Sequence, residues 1–277
     1  SYVGLTGALI ERNSMQLIVC RHEAGAGFMA VADGRLRGRA GVAMVSRGPG
    51  LANAMGSIYN AKFTHSPIII TAGQQEQGHG LTEPLLYDSL VPMAAPLVKW
   101  AVEITRLEDM PRIVHRAAKI AMTPPTGPVF ISLPGDILNS EVGMELGKRT
   151  RIDTASRPSD DALGRIADRM LAAKNPAIIS GNEVVTSDAL DEIALFAETL
   201  GAATYQQTIP YGSHFLSEHP AFMGALTRVQ KQVRDELSQY DLLIVVGSVP
   251  VRMSVYSEIE PMPPELSILQ IGLHDWE

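Results

Sequence analysis

LIVCRHEAGAG, residues 17–27, places a carboxylate, Glu23, between an apolar segment and a run of very small residues. The apolar segment Leu17–Cys20 predicts a β-strand, and the residues after Glu23 predict a helix over Ala24–Arg37. A side chain at the carboxyl end of a parallel strand lies at the edge where α/β sheets bind ligands. The small residues allow either a cofactor or another helix to approach the backbone closely. Taken alone, the motif also fits a surface glutamate at the start of an ordinary helix.

Short apolar runs alternate with longer helical patterns along the whole chain, which is typical of βα units around a parallel sheet. We therefore predict an α/β fold with two doubly wound parallel-sheet domains. The first covers residues 1–140 and opens within a helix, a polar linker covers 141–158, and the second domain covers 159–277. In the first domain, strands are predicted at Leu17–Cys20, Val42–Ser46, Ile68–Ala72, Val98–Val102 and Val129–Leu133, with helices at Ala24–Arg37, Leu51–Phe63 and Glu108–Met122. In the second, strands are predicted at Ala177–Ser180, Ala203–Tyr205, Leu242–Val246 and Ile268–Ile271, with helices starting after Ser159 and around Ala189–Leu200 and Val229–Tyr240.

The composition argues against several classes of protein. The net charge of −7, without any basic run, argues against a nucleic-acid partner. The single cysteine, Cys20, excludes an internal disulfide and is expected to be a buried structural thiol. No apolar stretch is long enough for a membrane span, and the first residues lack a signal-peptide pattern, so we expect a cytoplasmic location without a membrane partner.

Two further motifs follow predicted strands. SRGPGLAN, residues 46–53, is a turn that exposes backbone N–H groups and leaves room for a ligand ring or phosphate, although it matches no dinucleotide or P-loop fingerprint. IIITAGQQ, residues 68–75, ends a buried strand with paired amides that suit either a small polar substrate or a solvated loop. The polar stretch Glu76–Pro84 could then form an active-site loop. We expect all three strand ends to lie at the same edge of one sheet.

The order and spacing of these motifs resemble the thiamine diphosphate enzymes of the acetolactate synthase and benzoylformate decarboxylase superfamily. The resemblance covers practically the whole chain. Two later stretches, TGPV at 126–129 and LPGD at 133–136, resemble the end of that family's N-terminal pyrimidine-binding domain. Three others, NPAI at 175–178, HPAF at 219–222 and residues 241–247, resemble its Rossmann-like central domain.

The resemblance implies a decarboxylase or carboligase acting on a 2-keto acid, with thiamine diphosphate as cofactor. In the family, the glutamate that matches Glu23 hydrogen-bonds the N1′ atom of the aminopyrimidine and promotes formation of the thiazolium ylide. Residues that match Pro49 and Asn53 line the pyrimidine. Ser46 and Gln74 are expected on the substrate side.

Two elements of the family are missing from this sequence. The family begins with a strand and a Gly-rich turn ahead of the first helix, and its third domain carries a Gly-Asp-Gly run followed by Asn-Asn. That run binds Mg²⁺ and the diphosphate, so we expect no metal ligands in this chain and regard it as a fragment truncated at its C-terminal end. The family closes its site between subunits, which implies a second copy of the chain in a dimer or tetramer.

Two alternative functions stay open. The benzoylformate decarboxylase branch uses two active-site histidines, and alignment puts Ser46 and Ser254 at those positions, where a hydroxyl cannot shuttle protons as imidazole does. An acetolactate synthase-like carboligase with FAD in the central domain is therefore an alternative. A non-catalytic subunit for cofactor binding or assembly is another.

Overall fold

The computed structural model describes residues 3–12, 15–148, 153 and 156–273. The chain divides into two compact units, Ser1–Ala155 and Ser156–Glu277, and the division falls within the predicted linker. The described linker residues form no helix or strand before Asp160, and residues 149–152 and 154–155 lie outside the described part. In the described residues, no helix is long and apolar enough to cross a membrane.

The first unit contains one sheet, and its strands alternate with helices along the chain. Its elements are α1 (Val3–Glu11), α2 (Glu23–Arg37), β1 (Gly41–Ser46), α3 (Arg47–Phe63), β2 (Ile68–Gln74), α4 (Leu90–Ala94), β3 (Trp100–Glu103), α5 (Met110–Met122), β4 (Pro128–Pro134) and α6 (Gly135–Leu138). The four strands are parallel and lie in the order β1-β2-β4-β3. Because Ser46 pairs with Gly73 and Gln74 pairs with Pro134, both predicted substrate-side residues lie at the carboxyl edge of this sheet.

The predicted strand Leu17–Cys20 is wrong. Residues 16–20 form no helix or strand, and no described strand pairs with them, because the sheet ends at β1. Ile18 is 56% exposed and Val19 is 86% exposed, so the apolar character of this run does not reflect burial. Cys20, expected to be buried, is only partly buried, and its Sγ lies 3.5 Å from the Sδ of Met29. Glu23 therefore follows an unpaired segment and not a strand end.

Glycines set how closely α2 packs on its neighbours. A Cβ on Gly27 would lie 1.9 Å from the Oγ of Ser57, which is on α3. A Cβ on Gly41, the first residue of β1, would lie 2.0 Å from the carbonyl oxygen of Ala30 on α2. No side chain fits in either place, so the small residues behind Glu23 serve the approach of another helix and of a strand.

The second unit carries a five-stranded parallel sheet in the order β7-β6-β5-β8-β9. Its elements are α7 (Asp160–Leu171), β5 (Pro176–Ser180), α8 (Asn182–Thr186), α9 (Leu190–Leu200), β6 (Ala203–Gln206), β7 (Phe222–Ala225), α10 (Gln230–Leu237), β8 (Leu242–Val246) and β9 (Ser267–Ile271). The predicted helix start is confirmed, because the Oγ of Ser159 accepts a hydrogen bond from the backbone N–H of Ala162. Strand β7 was not predicted. Its sequence, FMGA, lacks the β-branched residues and the alternation that are typical of a strand. Its pairing with β6 is also irregular, and Gly224 has a φ of +97°.

Candidate active site

Glu23 is the first residue of α2 and is partly buried. The preceding residue, His22, is the N-cap of the helix, and its Nδ1 accepts a hydrogen bond from the backbone N–H of Ala24 at 3.2 Å. This cap fixes the direction in which the first turn begins. Glu23 therefore lies in the first turn of α2, at the positive end of the helix dipole.

Asn53, which lies on α3, forms a hydrogen bond with this carboxylate. Its Nδ2 donates a hydrogen bond to Glu23 Oε2 at 3.1 Å. Gly50 adjoins the second carboxylate oxygen, because a Cβ there would lie 3.3 Å from Glu23 Oε1. The structure thus brings Glu23 together with Gly50 and Asn53, although Asn53 lies 30 positions after Glu23 in the sequence. A larger side chain at position 50 would press on the carboxylate.

The start of α3 has an unusual backbone. Arg47 has a φ of +52°, a left-handed conformation that a residue with a side chain adopts at a cost. Ser46 is exposed and is the N-cap of α3, but its side chain does not hydrogen-bond the helix. Pro49 is also exposed, in the first turn of α3. Ser46 and Pro49 are therefore both accessible at the start of the helix that contains Gly50.

Gln74 is buried, and both ends of its amide have partners within the chain. Its Nε2 donates to the carbonyl oxygen of Asp88 at 2.7 Å, and its Oε1 accepts from the backbone N–H of Gln75 at 2.8 Å. The amide thus binds a loop of the protein itself. A contact between Gln74 and substrate stays a prediction.

The segment Leu85–Asp88, which we term the clamped loop, is held at three of its carbonyl groups. Besides the bond from Gln74, the Nε2 of Gln75 donates to Leu85 O at 2.8 Å, and the backbone N–H of Gly48 donates to Leu86 O at 3.4 Å. The side chains of Leu85 and Leu86 are 81% and 44% exposed. The predicted active-site loop, Glu76–Pro84, directly precedes this segment, and its role stays a prediction. Gln75 was not identified from the sequence as an anchor of the clamped loop. The paired amides after a buried strand were the available signal.

A polar hollow of about 400 Å³ lies between the strand ends and this loop. Its lining includes Gln75, Gln77, Tyr87, Ser89 and Glu103 but not Glu23. Next to it, Asp136 accepts hydrogen bonds from the backbone N–H and the Nε2 of Gln77 at 3.1 and 2.8 Å. Partial burial acts to raise the pKa of Asp136, but these hydrogen bonds outweigh it and leave the pKa below its usual value. Gln77 therefore fixes a charged carboxylate at this edge.

Metal binding has no candidate in the part of the chain that the structure describes. No three His, Cys, Asp or Glu side chains come together there in an arrangement that could hold an ion. One carboxylate near the sheet edge, that of Glu103, accepts a hydrogen bond from Ser132 Oγ at 2.8 Å through its Oε2.

Comparison with protein families identifies both units. Residues 1–85 match the thiamine pyrophosphate enzyme N-terminal TPP binding domain, and residues 163–277 match the thiamine pyrophosphate enzyme central domain. The chain belongs to the thiamine pyrophosphate enzymes. Glu23, Gly50 and Asn53 all lie within the segment that matches the TPP binding domain.

Individual relatives of the chain include decarboxylases and synthases. Benzoylformate decarboxylase of Pseudomonas aeruginosa is 27% identical over 90% of the chain and 48% of its own length. The catabolic acetolactate synthase of Raoultella terrigena is 29% identical over 90% of the chain and 46% of its own length. The solved structure of a thiamine diphosphate-dependent 4-hydroxybenzoylformate decarboxylase from Rhodococcus jostii RHA1 superposes with a TM-score of 0.91 at 26% identity, over 99% of the chain and 52% of that protein. The chain spans about half the length of these relatives.

Proposed function

We propose that the protein is a thiamine diphosphate-dependent decarboxylase or carboligase that acts on a 2-keto acid, with Glu23 as the residue that activates the cofactor. The observation that carries this proposal is the hydrogen bond from Asn53 Nδ2 to Glu23 Oε2, in the segment that matches the TPP binding domain. A carboxylate that only capped its own helix would need no amide from another helix. Here a second element fixes its direction.

The residues present fit an aminopyrimidine ring. Glu23 offers a partly exposed carboxylate that can share a proton with a ring nitrogen, and Asn53 sets its orientation. Gly50 keeps side-chain atoms away from the second carboxylate oxygen, and a Cβ at that position would take up the space beside it. Pro49 is exposed and can contact the face of a ring. Glu23, Pro49 and Asn53 would therefore hold the pyrimidine end of thiamine diphosphate.

The chemistry divides between the cofactor and the chain. When bound, thiamine diphosphate supplies the carbon nucleophile that adds to a keto group and the electron sink that accepts the electron pair left by departing carbon dioxide. Glu23 holds and exchanges a proton at the N1′ atom of the pyrimidine. Because the helix start and Asn53 already orient this carboxylate, the proton exchange requires little rearrangement of the protein.

The diphosphate end of the cofactor and its Mg²⁺ belong, in this proposal, to parts of the protein outside these 277 residues. The support is the length of the relatives, of which the chain covers about half. Within the described residues, the carboxylates near the sheet edge form no group that could hold a metal ion.

The clamped loop favours a substrate with an apolar side chain. Its backbone is tied to Gly48, which adjoins the turn that contains Gly50, and it presents the exposed side chains of Leu85 and Leu86. Contiguous exposed apolar surface can mark a ligand-binding site, and we propose that role for these two side chains. The nearby Ser46 offers a hydroxyl in place of a titrating imidazole, so proton delivery to the product needs a group other than this residue.

Turnover of 2-keto acids tests the proposal. The purified full-length protein, with thiamine diphosphate and Mg²⁺, is expected to release carbon dioxide from 2-keto acids, and more efficiently from those with aromatic or branched side chains than from pyruvate. Product analysis then separates decarboxylation, which yields an aldehyde, from carboligation, which yields a hydroxyketone. Omission of the cofactor is the control. Tight binding of thiamine diphosphate without carbon dioxide release from any substrate would instead favour the non-catalytic assembly role.

We also propose that the protein works as a dimer or tetramer of this chain. Helices α2 and α3, which carry Glu23 and Asn53, also expose Phe28, Met29 and Tyr59 to 48%, 46% and 59%. A second copy packed on these helices would bury such apolar side chains. Sedimentation equilibrium is expected to give the mass of two or four chains, and a monomer at micromolar concentration would contradict this proposal.

A further inference from the structure

The carboxyl edge of the sheet in the second unit is where a doubly wound domain would hold a nucleotide, and the resemblance to acetolactate synthases raises FAD as its ligand. Three glycines end strands or follow them there: Gly181 after β5, Gly247 after β8 and Gly272 after β9. A phosphate-binding turn uses such glycines to leave open space and free backbone N–H groups for the ligand. At this edge neither requirement is met.

The space beside these glycines is filled by the chain itself. A Cβ on Gly181 would lie 2.3 Å from the carbonyl oxygen of Gly247. One on Gly247 would lie 2.7 Å from the Cβ of Glu183, and one on Gly272 would lie 3.1 Å from Glu183 Oε2. The glycines therefore permit neighbouring strand ends and the start of α8 to pack against one another, with no cradle left for a diphosphate.

The backbone N–H groups at this edge also have partners. Gly181 donates to Val246 O at 2.9 Å, and Gly247 donates to Ile271 O at 2.8 Å. The N–H of Glu183 donates to Gly247 O at 3.0 Å. The N–H of Leu273 donates to the Oε2 of Glu183 at 3.0 Å, so a carboxylate of the chain takes the place of an external anion. A diphosphate here would also meet the negative charge of Glu183.

Polar side chains that follow β6 and β8 also form hydrogen bonds within the chain. Ser248 Oγ donates to Gln207 Oε1 at 2.9 Å, and Gln207 Nε2 donates to Ile209 O at 2.8 Å. Thr208 Oγ1 donates to Arg252 O at 2.8 Å. These buried groups bind the chain itself, so a nucleotide would have to displace hydrogen bonds that already satisfy them.

We infer that the second unit holds neither FAD nor an adenine nucleotide at this edge, because Glu183 and the glycine contacts close it. FAD does not fit the residues present, and no step of the proposed reaction passes through it. The inference does not depend on the proposed function, since it concerns a different sheet and a different ligand. It separates this protein from synthases that carry FAD, and it leaves thiamine diphosphate as the organic cofactor.

The direct test is the flavin content of the purified full-length protein. After denaturation, the supernatant is expected to show no flavin absorbance, and titration of the native protein with FAD or with ADP is expected to give no saturable heat. Release of about one flavin per chain, or saturable binding of either nucleotide, would overturn the inference. Circular dichroism of the same sample confirms that the protein is folded.

A pair of glycine variants provides an independent test. Gly181→Ala is expected to lower the midpoint of thermal unfolding in the absence of any nucleotide, because its Cβ would meet backbone. Gly164→Ala is the matched control, since Gly164 lies in α7 with no atom within 4 Å of the added Cβ, and it should leave the midpoint unchanged or raise it. If Gly181→Ala were as stable as the control, the glycine would not serve packing and the inference would fail.

Discussion

Glu23→Gln is expected to lower kcat/KM for the preferred 2-keto acid by about 10²- to 10⁴-fold while thiamine diphosphate still binds. Glutamine keeps the length of the side chain and can still accept the hydrogen bond from Asn53 Nδ2 that now reaches Glu23 Oε2. It cannot exchange a proton at the pyrimidine, so the loss falls on the chemical step. Steady-state kinetics at saturating cofactor, together with calorimetric titration of thiamine diphosphate, measure the two effects separately.

Two further variants calibrate this result. Asn53→Ala leaves the carboxylate in place but removes its orienting amide, so we expect a smaller loss of about tenfold, the size of one hydrogen bond to a charged group. Glu192→Gln, on the exposed surface of α9, changes the same chemical group away from the site and should be fully active. Undiminished turnover by Glu23→Gln would rule out the proposed role of Glu23.

Gly41→Ala is expected to lower the free energy of unfolding by about 3 kcal/mol, at the upper end of what overpacking costs. The added Cβ would lie 2.0 Å from the carbonyl oxygen of Ala30 and 2.8 Å from its carbonyl carbon. Both atoms belong to the backbone of α2, so no rotation of a side chain can relieve the clash. The helix must move away from β1, and it carries Glu23 with it. Urea denaturation followed by circular dichroism measures the change.

Gly7→Ala is the matched control for this prediction. Gly7 lies inside α1, and an added Cβ would have no atom within 4 Å. Because alanine is the better helix former, this variant should equal the parent protein or exceed its stability by up to about 1 kcal/mol. If Gly41→Ala unfolded at the same urea concentration as Gly7→Ala, the close packing of α2 on β1 would not contribute to stability as described.

Much of the fold follows from periodicity in the sequence. The strands that lie inside a sheet have continuous apolar runs, and Ile68–Ala72 and Leu242–Val246 were located within two residues of their observed ends. Leu17–Cys20 shows the limit of this reasoning. Its residues have the same apolar character, but a strand also requires a hydrogen-bonding neighbour, and none among the described strands provides one. The reverse error occurred at Phe222–Ala225, where pairing creates a strand from a sequence with weak strand preference.

The candidate site was predictable in part for a similar reason. Glu23 and Asn53 could be selected by motif, and the structure brings them into contact. The partners of Gln74 could not be selected, because they are carbonyl groups of the backbone, which every residue possesses. Whether the small residues behind Glu23 face a ligand or a helix was equally undetermined, since that depends on Ser57, 30 positions beyond Gly27. Contacts between distant segments decide such questions.

The clamped loop has a consequence for how this protein could change over evolutionary time. Gln74, Gln75 and Gly48 all donate hydrogen bonds to main-chain carbonyl oxygens of the loop. The backbone conformation of the loop therefore does not depend on which side chains occupy positions 85 to 87. Mutation there can alter the shape of the presented surface without loss of the anchors. Under the proposed function, such a division between main-chain anchors and replaceable side chains would let single substitutions alter which substrates are accepted. It makes Leu85 and Leu86 the first positions to randomise in a search for altered selectivity.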